Sequence, residues 1–241
     1  MGHDRHDNMA MPGQGKIWHY YQTEAPETFR AARPRLDYLL RQIARHAIMD
    51  GPRVLNIGVG DGYFEKMALA RGWTVHSLDP DRASLVQLAQ VGVHVQVGMI
   101  DAIPLADSAF DFVVASEVFE HLTDDQRRRG VVEIARLLVP GGRFLGTVPY
   151  HEDLDEGRVV CPHCGQTFHR WGHLHSFDLA RIATELSEHF KVQQVRRTAF
   201  VTYRDRSMLG KIKSLARWGL ARYGQPIAVP SIYWMAERKR G

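Results

Sequence analysis

The chain has 241 residues, 44% of them hydrophobic and 24% charged, a balance that fits a globular domain and excludes a fibrous or low-complexity one. Its 31 Lys and Arg against 27 Asp and Glu leave a formal charge of +4, too small a surplus to announce a nucleic-acid binder. Two cysteines exclude a disulfide framework, and no apolar run reaches the roughly 18 residues that a bilayer span requires.

In chain order, residues 1–16 are rich in Gly, His, Asp and Met without periodicity and are expected to form a tail. His3, Asp4, His6 and Asp7 replace the apolar core of a signal peptide, so a cytoplasmic location is expected. Residues 17–50 carry Leu36, Leu39, Leu40, Ile43, Ala44 and Ala47 at helical spacing, which predicts a helical cover. From residue 51 short apolar runs alternate with helical ones. Strands are expected at 53–57, 74–78, 93–97, 110–115 and 142–148, and helices at 64–71, 83–90 and 124–138. The alternation breaks in a Cys/His insertion, 151–177, and resumes with a helix at 178–189 and a strand at 192–201. A basic insertion, 204–230, holds an amphipathic helix over 207–223, and a strand at 232–236 closes the chain. The pattern predicts an α/β, Rossmann-like, mostly parallel sheet as one domain over 51–241.

The run Val54-Leu55-Asn56-Ile57-Gly58-Val59-Gly60-Asp61-Gly62 puts a glycine turn between a strand and a helix, where backbone amides can approach a ligand closely. The next strand ends in Asp79-Pro80, 19 residues beyond Gly60, where a carboxylate could accept two ribose hydroxyls. A dinucleotide fingerprint would place its third glycine one position later. This sequence resembles instead the class I S-adenosylmethionine-dependent methyltransferases. Val54 to Phe64 is similar to their first motif, and the loop Gly98-Met99-Ile100-Asp101-Ala102 to their adenine-side loop. The segment Phe110 to Leu122 (FDFVVASEVFEHL) is similar to their fourth strand and its exit, and Leu138-Val139-Pro140-Gly141-Gly142 to their turn into the fifth.

The resemblance implies a seven-stranded sheet with the last strand antiparallel, and S-adenosylmethionine as cofactor. It implies that Asn56, Gly58 and Gly60 line the methionine moiety, that Asp79 and Pro80 meet the ribose, that Asp101 and Ala102 meet the adenine, and that Ser116 and Glu117 border the sulfonium. Asn56 stands where the family usually carries an acid, and Asp61 is expected to compensate. The insertion and the aromatic N-terminal segment look most like small-molecule O-methyltransferases of the ubiquinone-biosynthesis group, with a small-molecule or saccharide-type acceptor.

Candidate bases are His121, His151 and His175, because a hydroxyl acceptor must lose its proton as its oxygen attacks. Glu117, Glu120 and His121 at i, i+3 and i+4 admit a second reading as a divalent-metal face. That arrangement resembles the metal sites of RNA 2′-O-methyltransferases, and metal-assisted RNA methylation is the alternative function. In metal-free relatives the same residues border the cofactor and pack.

Cys161-Pro162-His163-Cys164-Gly165 forms a potential knuckle, followed by His169 and His173. A structural zinc on Cys161, Cys164, His169 and His173 is the expected role, with a metal-free substrate loop or a redox pair as alternatives. Residues 190–241 hold 12 basic and 2 acidic side chains. That surplus suits a covering helix, contact with an anionic membrane surface, or an anionic or lipid-linked acceptor; an RNA partner is disfavoured by the absence of an RNA module. A non-catalytic binding module on the same nucleotide fold is the rival from another class, supported by Asn56 alone. Oligomeric state is left open.

Overall fold

The computed structural model describes residues 13–200 and 230–239. Its strands in chain order are β1 (Arg53–Ile57), β2 (Thr74–Asp79), β3 (His94–Val97), β4 (Phe110–Ser116), β5 (Leu138–Pro149), β6 (Arg158–Val160), β7 (Thr167–His169), β8 (Phe190–Thr198) and β9 (Ser231–Arg238). The helices are α1 (Gln14–His19), α2 (Arg33–His46), α3 (Tyr63–Leu69), α4 (Arg82–Gln90), α5 (Asp124–Leu137) and α6 (Leu179–Ser187). Seven strands make one sheet in the order β3-β2-β1-β4-β5-β9-β8. The first five pair in parallel, and β9 enters antiparallel between β5 and β8.

Neighbouring residues of a strand face opposite sides, and this alternation divides the apolar strand residues between two cores. Leu55, Ile57, Val113, Ala115, Phe144 and Trp234 pack with Ile134 of α5 and Ile182 of α6. Val54, Phe112, Val114, Leu145 and Tyr233 pack on the other face with Leu39 and Ile43 of α2, Phe64 of α3 and Leu85 of α4. Both faces are covered, which is why the strands read as continuous apolar runs. A capping box between Thr123 and Gln126 starts α5.

Three expectations are adjusted. The strand expected at 142–148 begins at Leu138, ahead of Gly141-Gly142, and an irregular register against β4 between Phe110 and Phe112 accommodates the glycine pair. Helix α1 begins inside the expected tail. Its Gln14 is buried and donates to the carbonyls of His121 and Gly172, both at 2.9 Å, a long-range anchor that no local pattern announces. The Cys/His insertion contains the two-stranded hairpin β6–β7. The helix expected over 207–223 lies outside the described residues. No helix among the described residues is long and apolar enough to cross a membrane.

Candidate active site

Strand order reverses between β1 and β4, and a ligand crevice is expected beyond their C-terminal ends. A cavity of about 910 Å³ opens there. Its floor is the turn from β1 into α3, where Gly58 and Gly60 have positive φ of 81° and 54°. A Cβ on Gly60 would come within 3.0 Å of the Phe29 ring, so the turn needs glycine both for conformation and for close packing.

Asp79 closes one side of this floor and is 3% exposed. Its Oδ2 accepts the Val59 N–H at 3.0 Å and the Gln22 side chain at 2.9 Å, while Oδ1 accepts the Asp81 N–H at 2.8 Å. Burial pushes its carboxyl up and these donors oppose the shift. The helix cap is Asp81, whose side chain accepts from Ala83, so Asp79 is not committed to capping. Asn56 lies beneath the turn and donates to Gly58 O at 3.1 Å and to Glu65 Oε1 at 2.7 Å. Glu65, on α3, is fully buried, also accepts Ser77 Oγ at 2.9 Å, and has its carboxyl pushed up to about 7 by burial. The acid under the turn is therefore Glu65, which the sequence reading missed. Asp61, expected to compensate, lines the cavity and accepts the Tyr63 N–H at 3.2 Å.

Pro80, Ser116 and Glu117 also line the cavity. Ser116 Oγ accepts from Arg35 Nε and pairs with Thr147 Oγ1, both at 3.0 Å. Glu117 takes the left-handed backbone (φ 56°), and its Oε2 lies 3.8 Å from the Arg35 guanidinium. Asp101 and Ala102 are not in the wall. Asp101 faces Arg129 at 3.4 Å, and Gly98, Met99 and Ile100 line the cavity instead.

Of the three candidate bases, His121 and His151 line the cavity and His175 does not. His175 faces Asp124 at 3.6 Å and Arg181 at 3.5 Å, and its pKa is pushed down to about 4 by burial first and then by Arg127 and Arg181. Burial, followed by the neighbouring His173, pushes His121 to about 3, so its ring is neutral at physiological pH. The hydrogen bonds also define tautomers. His121 Nδ1 faces the Gly172 carbonyl at 3.3 Å, and His173 Nδ1 faces Glu152 Oε2 at 2.5 Å. Carbonyl and carboxylate only accept, so both Nδ1 atoms donate, and the neutral His121 ring keeps a lone pair on Nε2. Glu120 lies beside them, fully buried, with neither carboxylate oxygen hydrogen-bonded and its pKa pushed well up by burial and Glu117. Ligand atoms of Glu120, His121 and His173 fall within 4.8 Å of one another, as do those of Glu152, His169 and His173.

Residues 55–146 match the family described as Methyltransferase domain. Over this segment the chain is similar to methyltransferases. Malonyl-[acyl-carrier protein] O-methyltransferase of Serratia marcescens is 33% identical over 97 residues, which cover 39% of this chain and 37% of that protein. The chain thus spans well under two thirds of that curated relative. Among solved structures, a methyltransferase of Haloferax volcanii in complex with the Trm112 activator superposes with a TM-score of 0.65 at 17% identity, covering 93% of this chain and 98% of that one. The 1,6-didemethyltoxoflavin-N1-methyltransferase of Burkholderia thailandensis, with its substrate and S-adenosylhomocysteine bound, gives 0.63 at 16%, covering 94% and 87%. The shared feature is the Rossmann-like fold.

The matched residues 55–146 supply the cavity floor, and segments outside them supply its roof. Gln22, Phe29 and Arg35 come from the N-terminal side, and Glu152, His169 and Trp171 from the insertion. The two parts meet where Tyr21 packs on Trp171, with ring centroids 4.5 Å apart. The four expected zinc ligands are not brought together. Pairing of Arg158 with His169 and of Val160 with Thr167 puts His169 at the open end of the hairpin, roughly 7 Å of strand beyond the last pair before the turn that holds the cysteines. His169 and His173 stack at 4.6 Å beside Glu152. Neither cysteine belongs to a cluster of three metal-ligating groups among the described residues.

Proposed function

We propose that the chain is an S-adenosylmethionine-dependent methyltransferase acting on the oxygen of a small, uncharged, hydroxyl-bearing acceptor of saccharide or ubiquinone-precursor type. The observation that carries this reading is one continuous cavity that runs from Asp79 and the glycine turn to a wall of histidines. In this reading Asp79 and Pro80 hold the ribose, Asn56, Gly58, Gly60 and Asp61 the methionine moiety, and Ser116 and Glu117 the sulfonium side. Asp101 and Ala102 would reach the adenine only through a shift of their loop.

Methyl transfer needs alignment more than activation, since the sulfonium is already electrophilic. The acceptor oxygen forms its bond to the methyl carbon as the carbon–sulfur bond breaks and its electron pair goes to sulfur. The hydroxyl proton goes to a nearby base, for which His151 and His121 are placed. Glu152, Asp153 and Glu156 on the acceptor side disfavour a phosphate or carboxylate acceptor. The Glu65 carboxyl beneath Asn56 supplies the acid whose absence supported the non-catalytic reading. The domain is read as 51–241, covered by 17–50, with insertions at 151–177 and 204–230, and two free thiols suit the reducing cytoplasm.

The test is calorimetric titration with S-adenosylhomocysteine, followed by incubation of the protein and labelled S-adenosylmethionine with hydroxylated metabolite pools. Micromolar binding and label transferred to oxygen support the reading. An absence of binding at millimolar concentration overturns it.

Metal-assisted transfer is a second reading, favoured by the orphaned Glu120 carboxyl group, whose oxygens lie within 4.8 Å of ligand nitrogens of His121 and His173. Glu120, His121 and His173 would hold the ion, with Glu152 and the Gly172 carbonyl orienting the rings. Manganese binding to the wild type and its loss in Glu120→Gln would support it. For the two cysteines we retain the zinc reading, with ligands other than His169 and His173.

A further inference from the structure

Cys161 and Cys164 occupy the turn of the β6–β7 hairpin, where residues 162–167 are all exposed. The Cys161 N–H donates to Gln166 O and the Gly165 N–H to Cys161 O, both at 2.8 Å, and Gly165 takes φ 74°. The chain therefore doubles back tightly at the first sulfur. The Cys164 thiol and the backbone N–H groups of His163 and Cys164 approach the Cys161 sulfur. Two cysteines separated by two residues on so tight a turn have the spacing of a zinc knuckle.

Two thiolates are half of a tetrahedral zinc site. The remaining ligands are not at hand within the described residues: His169 is at the far end of the hairpin, and His173 is held against Glu152. The chain has no third cysteine. The hairpin also exposes Val159 (39%) and Val160 (59%), and its two strands pair only with each other among the described residues. Apolar side chains and open strand edges beside an incomplete metal site form a patch that a second copy can complete by two-fold symmetry.

We propose that Cys161 and Cys164 from two copies of this chain share one zinc ion, in a four-thiolate site that joins their β6–β7 hairpins. This deepens the zinc reading of the two cysteines and is independent of methyl transfer. Each thiol releases its proton as its sulfur binds, so zinc uptake acidifies an unbuffered solution.

The test uses the full chain purified under reducing conditions from zinc-supplemented cells. Zinc content and molar mass by sedimentation equilibrium are read before and after dialysis against a chelator. The expected result is about half an equivalent of zinc per chain on a dimer, dissociation to monomer in chelator, and re-formation on adding zinc alone. Cobalt in place of zinc should show the charge-transfer bands of four thiolates. Cys164→Ser should be a zinc-free monomer that binds S-adenosylhomocysteine like the wild type, which certifies its fold. One equivalent of zinc on a monomer would mean that the same chain completes the site, overturning the sharing but not the zinc. A dimer indifferent to chelator overturns the bridge, and a chain that takes up no zinc overturns both readings.

Discussion

Asp79 accepts three hydrogen bonds, and one of them, from Gln22, comes from a side chain in the cavity roof. That oxygen is open to exchange of Gln22 for a ribose hydroxyl without disturbing the two backbone donors. Hydrogen bonds to a charged group contribute about 1.5–3 kcal/mol each, so Asp79→Ala should weaken S-adenosylhomocysteine binding at least about tenfold. Unchanged affinity by calorimetry would remove Asp79 from the cofactor site. Glu65 carries the pH prediction. Its folded pKa, about 7, is raised above the unfolded 4.5, so its contribution is fully present below pH 4.5 and is lost as pH rises through 7. The wild type should lose up to about 3 kcal/mol between pH 5 and pH 8 from this group. Glu65→Gln should flatten that part of a denaturant-midpoint profile, and an identical slope in the two proteins would contradict it. Asp79 was legible in the sequence because a carboxylate at a strand end lies at a fixed offset from the turn. Glu65 was not, because nothing in a helix pattern says which residue points beneath the preceding strand.

At the scale of elements, the alternation of short apolar runs and helical ones specified β1 to β5 and α3 to α5 within a few residues, since strand and helix periods are local properties. Close packing between distant strands is a different matter. Gly146 on β5 faces Trp234 on β9, and a Cβ there would lie 2.1 Å from the indole and 2.5 Å from the Ala115 carbonyl. Neither backbone nor buried indole can yield, so Gly146→Ala should destabilise the fold by about 3 kcal/mol or more, read as a lower urea midpoint. A loss under about 0.5 kcal/mol would show that the sheet has slack that these contacts deny. The β6–β7 hairpin teaches the same lesson for a site. A run of Cys and His at zinc-like spacing reads as four ligands only if the histidines stay beside the turn, whereas strand pairing carries His169 away from it.

For the whole molecule, the near-neutral total conceals three acidic side chains grouped on the cavity wall and a basic C-terminal stretch from Phe190 onward. With Glu152, Asp153 and Glu156 beside the histidines, a polyanion gains little at the cavity mouth. Single-stranded RNA should therefore bind no more tightly than expected for non-specific contact, about 10⁻⁴–10⁻⁶ M at physiological salt. Nanomolar binding in a filter assay at that salt would instead favour the RNA acceptor. By itself the sequence determined the α/β alternation, the glycine turn and the acid at the end of β2, because each depends on residues close along the chain. Only the tertiary structure decided that Glu65 lies under the turn, that His173 meets Glu152 and His121, and that the two cysteines stand apart from both. Those relations follow from strand order, hairpin register and helix packing rather than from any local spacing.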